Sequence, residues 1–319
     1  MSETPGIRKL SLTRCVIRIS NLSVSLVVCL FDSVWFHLSR HFRSNPPGRC
    51  VVLYYHSVPT KYAKRFEEQM KLVAKLATPL DLRYLKSCPK NGTFVAITFD
   101  DSMESFYTNA VPVLFGLNIP ATVFAVADAL GTRPSWGDRY YLPDERVMSA
   151  LQLESLPDLI SIGSHTLTHV SLVTVEPEIA QWEIAESRRR LESMLQRPVS
   201  LFSFPHGHFN EVLVQQCREV GYEHVFTTEP SDANENDFVM GRVAVDPWDW
   251  PLEFRLKMMG AYRWRMSART ALDRMLRFLS IGVQSLSSKL NFRKVEDKKV
   301  EEVSVDVHVE VRRYRNRCQ

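Results

Sequence analysis

The sequence predicts an α/β fold built as a parallel-stranded barrel, complete or incomplete, with helical extensions at both ends. Three observations predict it. Hydrophobic, strand-like runs alternate with helix-like stretches from Val51 onward. Seven such runs fit within about two hundred residues, the spacing of β–α units. With 319 residues, 45% of them hydrophobic, the chain can bury one substantial core plus smaller appendages. Parallel strands joined by helices gather functional residues at the strands' C-terminal ends.

Taken in order, residues 7–40 are apolar but punctuated by Arg8, Lys9, Arg14, Arg18 and Asp32. The longest charge-free run there covers residues 19–31, short of the roughly 20 residues a bilayer span needs. A helix lying in a membrane interface fits this mixed character, as does a helix packed on the domain. A signal peptide suits the basic start, although no A-x-A-like cleavage site follows. "NPPGRC" breaks the segment, and "VVLYYHSV" reads as a buried strand. The strand candidates are residues 51–55, 94–98, 121–125, 159–162, 201–204, 223–227 and 242–245. The clearest helix covers 176–195, with Pro177 in its first turn and Ala180, Ile184, Leu191 and Leu195 on one stripe. Beyond Trp250 the chain turns helical, amphipathic and basic. The tail then offers "VSVDVHVEV", whose Asp306, His308 and Glu310 would share the polar face of a strand. The expected organisation is an N-terminal extension over 1–49, a main domain over 50–250 and a C-terminal extension over 251–319.

Charge is unevenly spread. Residues 1–50 carry seven Lys/Arg against two acids, and residues 255–319 carry sixteen against seven. The stretch between holds 17 basic and 27 acidic residues, so an acidic body lies between basic ends. Such a body repels phosphates, which argues against a nucleic-acid module. Basic ends beside apolar residues suit an anionic membrane surface, so a peripheral membrane location is expected. The six cysteines are scattered with no C-x-x-C pair, which argues against a disulfide scaffold or a cysteine zinc site. It points to a reduced, cytoplasm-facing side.

Two stretches carry chemistry. In "FVAITFDDSMES", Asp100 and Asp101 stand together where a hydrophobic strand ends. Adjacent residues there point different ways, so one can bind a cation while the other faces a water. The cation's charge would offset the repulsion between two carboxylates. In "ISIGSHTLTHVSL", His165 and His169 are four apart directly after a strand. On a helical turn that spacing sets both imidazoles on one face. Two histidines and an aspartate suit zinc or a similar divalent ion, with positions left for water and substrate.

These pieces, in this order, resemble the polysaccharide deacetylase family, also called the NodB-homology domain or carbohydrate esterase family four. The resemblance rests on "TFDD" at 98–101, "SHTLTH" at 164–169 and "SFPHG" at 203–207, with "LYYHSV" at 53–58 similar to the first strand of many members. It covers about residues 51–250. It implies a distorted (β/α) barrel of the NodB-homology type and a metal-dependent hydrolase removing N-acetyl groups from a sugar in a polysaccharide or lipid-linked glycan. By the resemblance, Asp100 is the catalytic base, Asp101, His165 and His169 are metal ligands, and the loop of Pro205, His206 and Gly207 helps hold the acetyl oxygen. His56 would line the pocket. Zinc is the expected ion, with cobalt or nickel as alternatives.

The sequence departs from the family in three places. The arginine that commonly orients the base, four residues before the third-motif proline, is Leu201 here; Arg242 is the candidate substitute. "DPWDW" at 246–250 matches the family's D-x-x-D-W, where an aspartate tunes a histidine in a later L-x-H, yet no L-x-H follows. Aromatic packing is the simpler reading of that stretch. The group that protonates the leaving amine is therefore open among His206, His208, His224 and His56. A second functional reading also stays open: a catalytically inactive barrel that binds carbohydrate or serves as a scaffold at the membrane.

Overall fold

In the computed structural model, residues 12–42, 49–87, 92–136, 144–233 and 236–265 are described, with side chains of the first helix from Cys15 to Val34. All belong to one unit, Met1–Arg269; a second, Thr270–Gln319, lies outside the described residues. The "VSVDVHVEV" expectation and most of the basic C-terminal segment fall there.

The order of elements is helix α1 (Leu12–Phe42), strand β1 (Arg49–Tyr55), α2 (Ala63–Leu76), β2 (Thr78–Pro79), β3 (Thr93–Phe99), α3 (Val111–Gly116), β4 (Ala121–Ala125), α4 (Ala150–Glu154) and β5 (Ile160–Ser164). There follow α5 (Pro177–Leu195), β6 (Leu201–Ser203), α6 (Glu211–Val220), β7 (His224–Phe226), β8 (Val239–Met240), β9 (Val243–Ala244) and α7 (Pro251–Met258). Each run predicted as a strand lies on one. The unpredicted strands β2 and β8 have two residues each, too few to show a pattern.

The strands form one sheet in the order β8-β7-β6-β5-β4-β3-β1-β9, with β2 beside β3 and every pairing parallel. β1 and β3 are in register from Arg49↔Thr93 to Tyr55↔Phe99. The two ends of this path, β8 and β9, are separated in the chain only by Gly241 and Arg242. The chain thus passes from pairing with β7 to pairing with β1 within residues 239–244, which curls the sheet into a distorted barrel. Gly241 permits the passage: a Cβ there would lie 1.8 Å from the Glu229 carbonyl oxygen.

The helices cover the outside of the sheet. Phe66, Met70 and Val73 of α2, Ala180, Ile184 and Leu191 of α5, and Phe254, Leu256 and Met258 of α7 all join the main core. Burial of each large apolar side chain contributes about 1.5–3 kcal/mol. Pro177 opens α5, and Gln196 ends it in the left-handed conformation at φ 51°. Asn210 caps α6 by accepting the Leu213 N–H.

The two readings of the N-terminal segment meet in α1. Leu22, Ser25 and Cys29 face the domain, whereas Val27, Leu30 and Phe31 are exposed. Its segment Cys15–Val34 is long and apolar enough to cross a membrane by length and composition, which the shorter charge-free run had argued against.

Candidate metal centre and acid–base site

The predicted site residues converge on the C-terminal rim of the barrel. His56 follows β1, Asp100 and Asp101 follow β3, His165 follows β5, and Pro205, His206 and Gly207 follow β6. Separation along the chain is cancelled by parallel pairing, which sets these strand ends side by side.

β3 stops at Phe99 and the backbone turns sharply. Asp101 and Ser102 both take left-handed conformations, at φ 66° and 48°. Non-glycine residues rarely hold that region, and such strain gathers where a side chain must be aimed. The aspartates therefore diverge. Asp101 points to the histidines, with Oδ1 3.0 Å from His169 Nε2 and 3.5 Å from His165 Nε2. Asp100 points to Arg242.

The histidine pair lies on the loop that follows β5, the strand-to-helix loop expected, rather than on a helical turn. Thr166 and His169 have φ values of 68° and 65°. Thr166 Oγ1 accepts the His169 N–H at 3.0 Å, closing the turn. Glu183 of α5 holds the loop from below: it accepts the Leu167 and Thr168 N–H groups and the Thr168 hydroxyl at 2.6–3.0 Å. His165 donates from Nδ1 to the Ser203 carbonyl at 2.7 Å, which leaves Nε2 as the lone-pair nitrogen facing Asp101.

One ligand atom from each of Asp101, His165 and His169 lies within 4.8 Å of the others, and all three residues are buried. Burial, against the pull of both aspartates, lowers His165 to about 4, so its ring is neutral at physiological pH and ready to bind a cation. Burial alone would raise Asp101, but the bond to His169 and the nearby His165 hold its carboxyl well below the usual range. Two imidazole nitrogens and an ionised carboxylate are a donor set that fits a divalent cation.

Arg242 is fully buried in the barrel and grips Asp100 with both nitrogens: Nη1 to Oδ1 at 2.7 Å and Nη2 to Oδ2 at 2.8 Å. It also donates to the Ser203 hydroxyl, the Thr98 hydroxyl and the Thr227 carbonyl. Burial would raise the Asp100 carboxyl, yet the Arg242 charge and then His165 outweigh it, so Asp100 stays ionised. Leu201, at the family's arginine position, is packed among apolar side chains.

The "DPWDW" turn is more than aromatic packing. Asp249 accepts the Asp246 N–H and pairs with Lys257 at 2.6 Å. Gln69 ties the Asp246 carbonyl to the Tyr55 hydroxyl. Burial, then the neighbouring Asp249, pushes Asp246 up to about 6, while Lys257 and His56 pull the other way. His56 thus lies in the field of Asp246, Asp100 and Asp101 together. His224, by contrast, opens β7 at the opposite end of the barrel, where it meets the Asp237 carbonyl, so it is no candidate proton donor. His208 contacts Ser171 at 3.2 Å.

His206 sits at φ 60° with its ring 4.8 Å from that of His169. Gly207 follows at φ 71°, where a Cβ would collide with the Thr228 side chain. Sequence reasoning missed Trp136, whose ring stacks on His169 at 4.4 Å, and Glu183. Trp136 lies in a loop with no periodic signal, and Glu183 reads as an ordinary polar helix position.

A parallel, curled α/β barrel with these carboxylates and histidines on its C-terminal rim is a hydrolase architecture. The chain matches the polysaccharide deacetylase family model over residues 88–225, the family its motifs resemble. It is 28% identical over 222 residues to YxkH of Bacillus subtilis, whose own name as a polysaccharide deacetylase is provisional; the match covers 66% of this chain and 76% of that one. It is 23% identical over 204 residues to the poly-beta-1,6-N-acetyl-D-glucosamine N-deacetylase of Staphylococcus aureus, covering 57% of this chain and 66% of that protein. Its fold matches the structure of IcaB from Ammonifex degensii with a TM-score of 0.58 at 21% identity, over 68% of this chain and 98% of that one.

Proposed function

We propose that this chain hydrolyses the N-acetyl amide of an amino sugar within a polysaccharide or lipid-linked glycan. Asp101, His165 and His169 are its metal ligands, zinc being the first choice and cobalt or nickel workable substitutes. The observation that carries this reading is the buried trio with Asp100 at its side. The S. aureus relative's named substrate favours an N-acetylglucosamine polymer.

Roles follow from chemistry. An amide is a poor electrophile and water a poor nucleophile at neutral pH. A bound divalent cation supplies Lewis acidity for both. Asp100, kept ionised by Arg242, takes the proton of the attacking water. Arg242 orients that carboxylate through its two-pronged contact. The left-handed turn at His206 and Gly207 presents backbone beside the acyl oxygen, where one donor is typically worth about 3–4 kcal/mol. His56, set against Asp246, donates the proton that the leaving nitrogen needs, the part an L-x-H histidine plays in relatives. The C–N bond breaks, giving acetate and a free amine.

Residues 50–250 carry the catalytic unit in this reading, and the basic ends give peripheral membrane contact, the cytoplasmic face being favoured by scattered cysteines. The inactive-scaffold alternative is disfavoured, because it leaves the bidentate clamp on Asp100 and the aimed histidines without a purpose. The deciding experiment is acetate release from N-acetylglucosamine oligomers by chelated protein resupplied with zinc or cobalt. Asp100→Asn should lower the rate by about 10²–10⁴-fold while cation binding persists. No release with any cation would favour the scaffold.

A further inference from the structure

Between Cys15 and Val34 the chain has only two charged side chains, Arg18 and Asp32. They stand fourteen positions apart, on nearly the same side of a helix and about 21 Å along its axis. Both turn inward. Arg18 meets Glu253 at 2.7 Å and lies over the Trp250 ring. Asp32 pairs with Arg263 and Arg49. Midway, the buried Ser25 accepts the Trp264 indole N–H at 2.9 Å. Three polar contacts therefore fasten one face of α1 to α7, the residues just after it and the start of β1 along most of the apolar segment.

The opposite face carries no charge. Val16, Ile19, Val27, Leu30, Phe31 and Val34 are all more than half exposed. Among the serines on the exposed side, Ser23 and Ser33 donate back to the carbonyls of Ile19 and Cys29, so these hydroxyls need no water. An apolar strip of this length on a soluble surface marks an interaction site. The chain's basic residues flank it: Arg8, Lys9 and Arg14 before, Arg40 and Arg43 after, with Glu3 the only other acid in the first fifty residues. That charge complements anionic headgroups on both sides of an apolar strip.

We propose that α1 is an in-plane anchor: its outer face lies in the interfacial layer of an anionic phospholipid bilayer while its inner face stays fastened to the barrel. This deepens the membrane reading above and rests on it. A spanning posture is incompatible with both clamps. The hydrocarbon core is about 30 Å thick, so a spanning α1 would draw at least one ion pair, and the domain attached to it, into lipid. Lying flat, α1 keeps both pairs on the aqueous side and buries an uncharged face of apolar side chains and serines.

The test uses the full chain with vesicles of phosphatidylcholine alone or mixed with phosphatidylglycerol. Flotation with the anionic vesicles at low salt, followed by release in alkaline carbonate, is the expected result. The double variant Val27→Asp, Phe31→Asp should bind at least tenfold more weakly, with an unchanged thermal melt and unchanged acetate release from a soluble oligomer. Retention after carbonate would mean a spanning helix and overturn the proposal. So would a soluble dimer that the double variant dissociates, equal binding by the variant, or no flotation at all. Absence of acetate release with the flotation pattern intact would defeat the deacetylase reading and leave the anchor standing.

Discussion

Arg242 and Asp100, 142 positions apart, meet through two parallel bonds of 2.7 and 2.8 Å inside the barrel. A buried carboxylate stripped of such a partner typically costs about 3–5 kcal/mol. Arg242→Ala should therefore destabilise the fold by that order and lose most turnover. Arg242→Lys keeps the charge but not the fork, so it should fold better while recovering little activity. Near-normal turnover in the alanine variant, measured beside its denaturation midpoint, would remove Arg242 from the mechanism.

Chelation is expected to lower the thermal midpoint of the wild-type chain. A ligand held at a hundred times its dissociation constant stabilises the folded form by about 2.7 kcal/mol. Adding zinc should raise the midpoint of the wild type and leave that of a His165→Ala, His169→Ala variant unmoved. An equal zinc response in both would place the cation elsewhere.

Glu183 touches no predicted ligand, yet three bonds to its carboxylate shape the loop between His165 and His169. Loss of supporting contacts around a metal site commonly weakens cation affinity about 10–100-fold. Glu183→Ala should weaken zinc binding to that degree, with Glu183→Gln in between. Titration calorimetry giving unchanged affinity in both variants would reduce Glu183 to ordinary helix packing.

Asp246 gives a pH dependence with a defined sign. Its carboxyl rises from the ordinary 3.8 to about 6 on folding, driven first by burial and then by Asp249. The folded form therefore binds the extra proton between these values. The associated stability is fully present below about 4 and is lost as pH rises through about 6, a change of up to about 3 kcal/mol. Asp246→Asn should flatten the stability profile over that window. It should also lower kcat without a matching change in KM, if His56 is the proton donor. A profile as steep as that of the wild type would discard the linkage.

Much of this was legible in the sequence because it is local. Hydrophobic runs located the long strands, and the doublet at Asp100 and the pair at His165 and His169 announced a candidate cation site from a few letters each. What stayed hidden depends on distance or on backbone shape. The left-handed turns at Asp101, Thr166 and His169 leave no mark when the residue is not glycine. Leu201 marks where an arginine is missing, but only the pairing of β9 with β1 brings Arg242 to Asp100. His56 and Asp246 likewise follow the ends of adjoining strands, β1 and β9.

The short seam at Gly241 and Arg242 carries a last consequence. Because the guanidinium enters where the barrel's first and final strands meet, the Asp100 carboxylate gains its two-pronged clamp only once the whole cylinder has closed. A half-made chain leaving the ribosome would own both aspartates and both histidines, yet lack the Arg242–Asp100 clamp until its final strand locked into place.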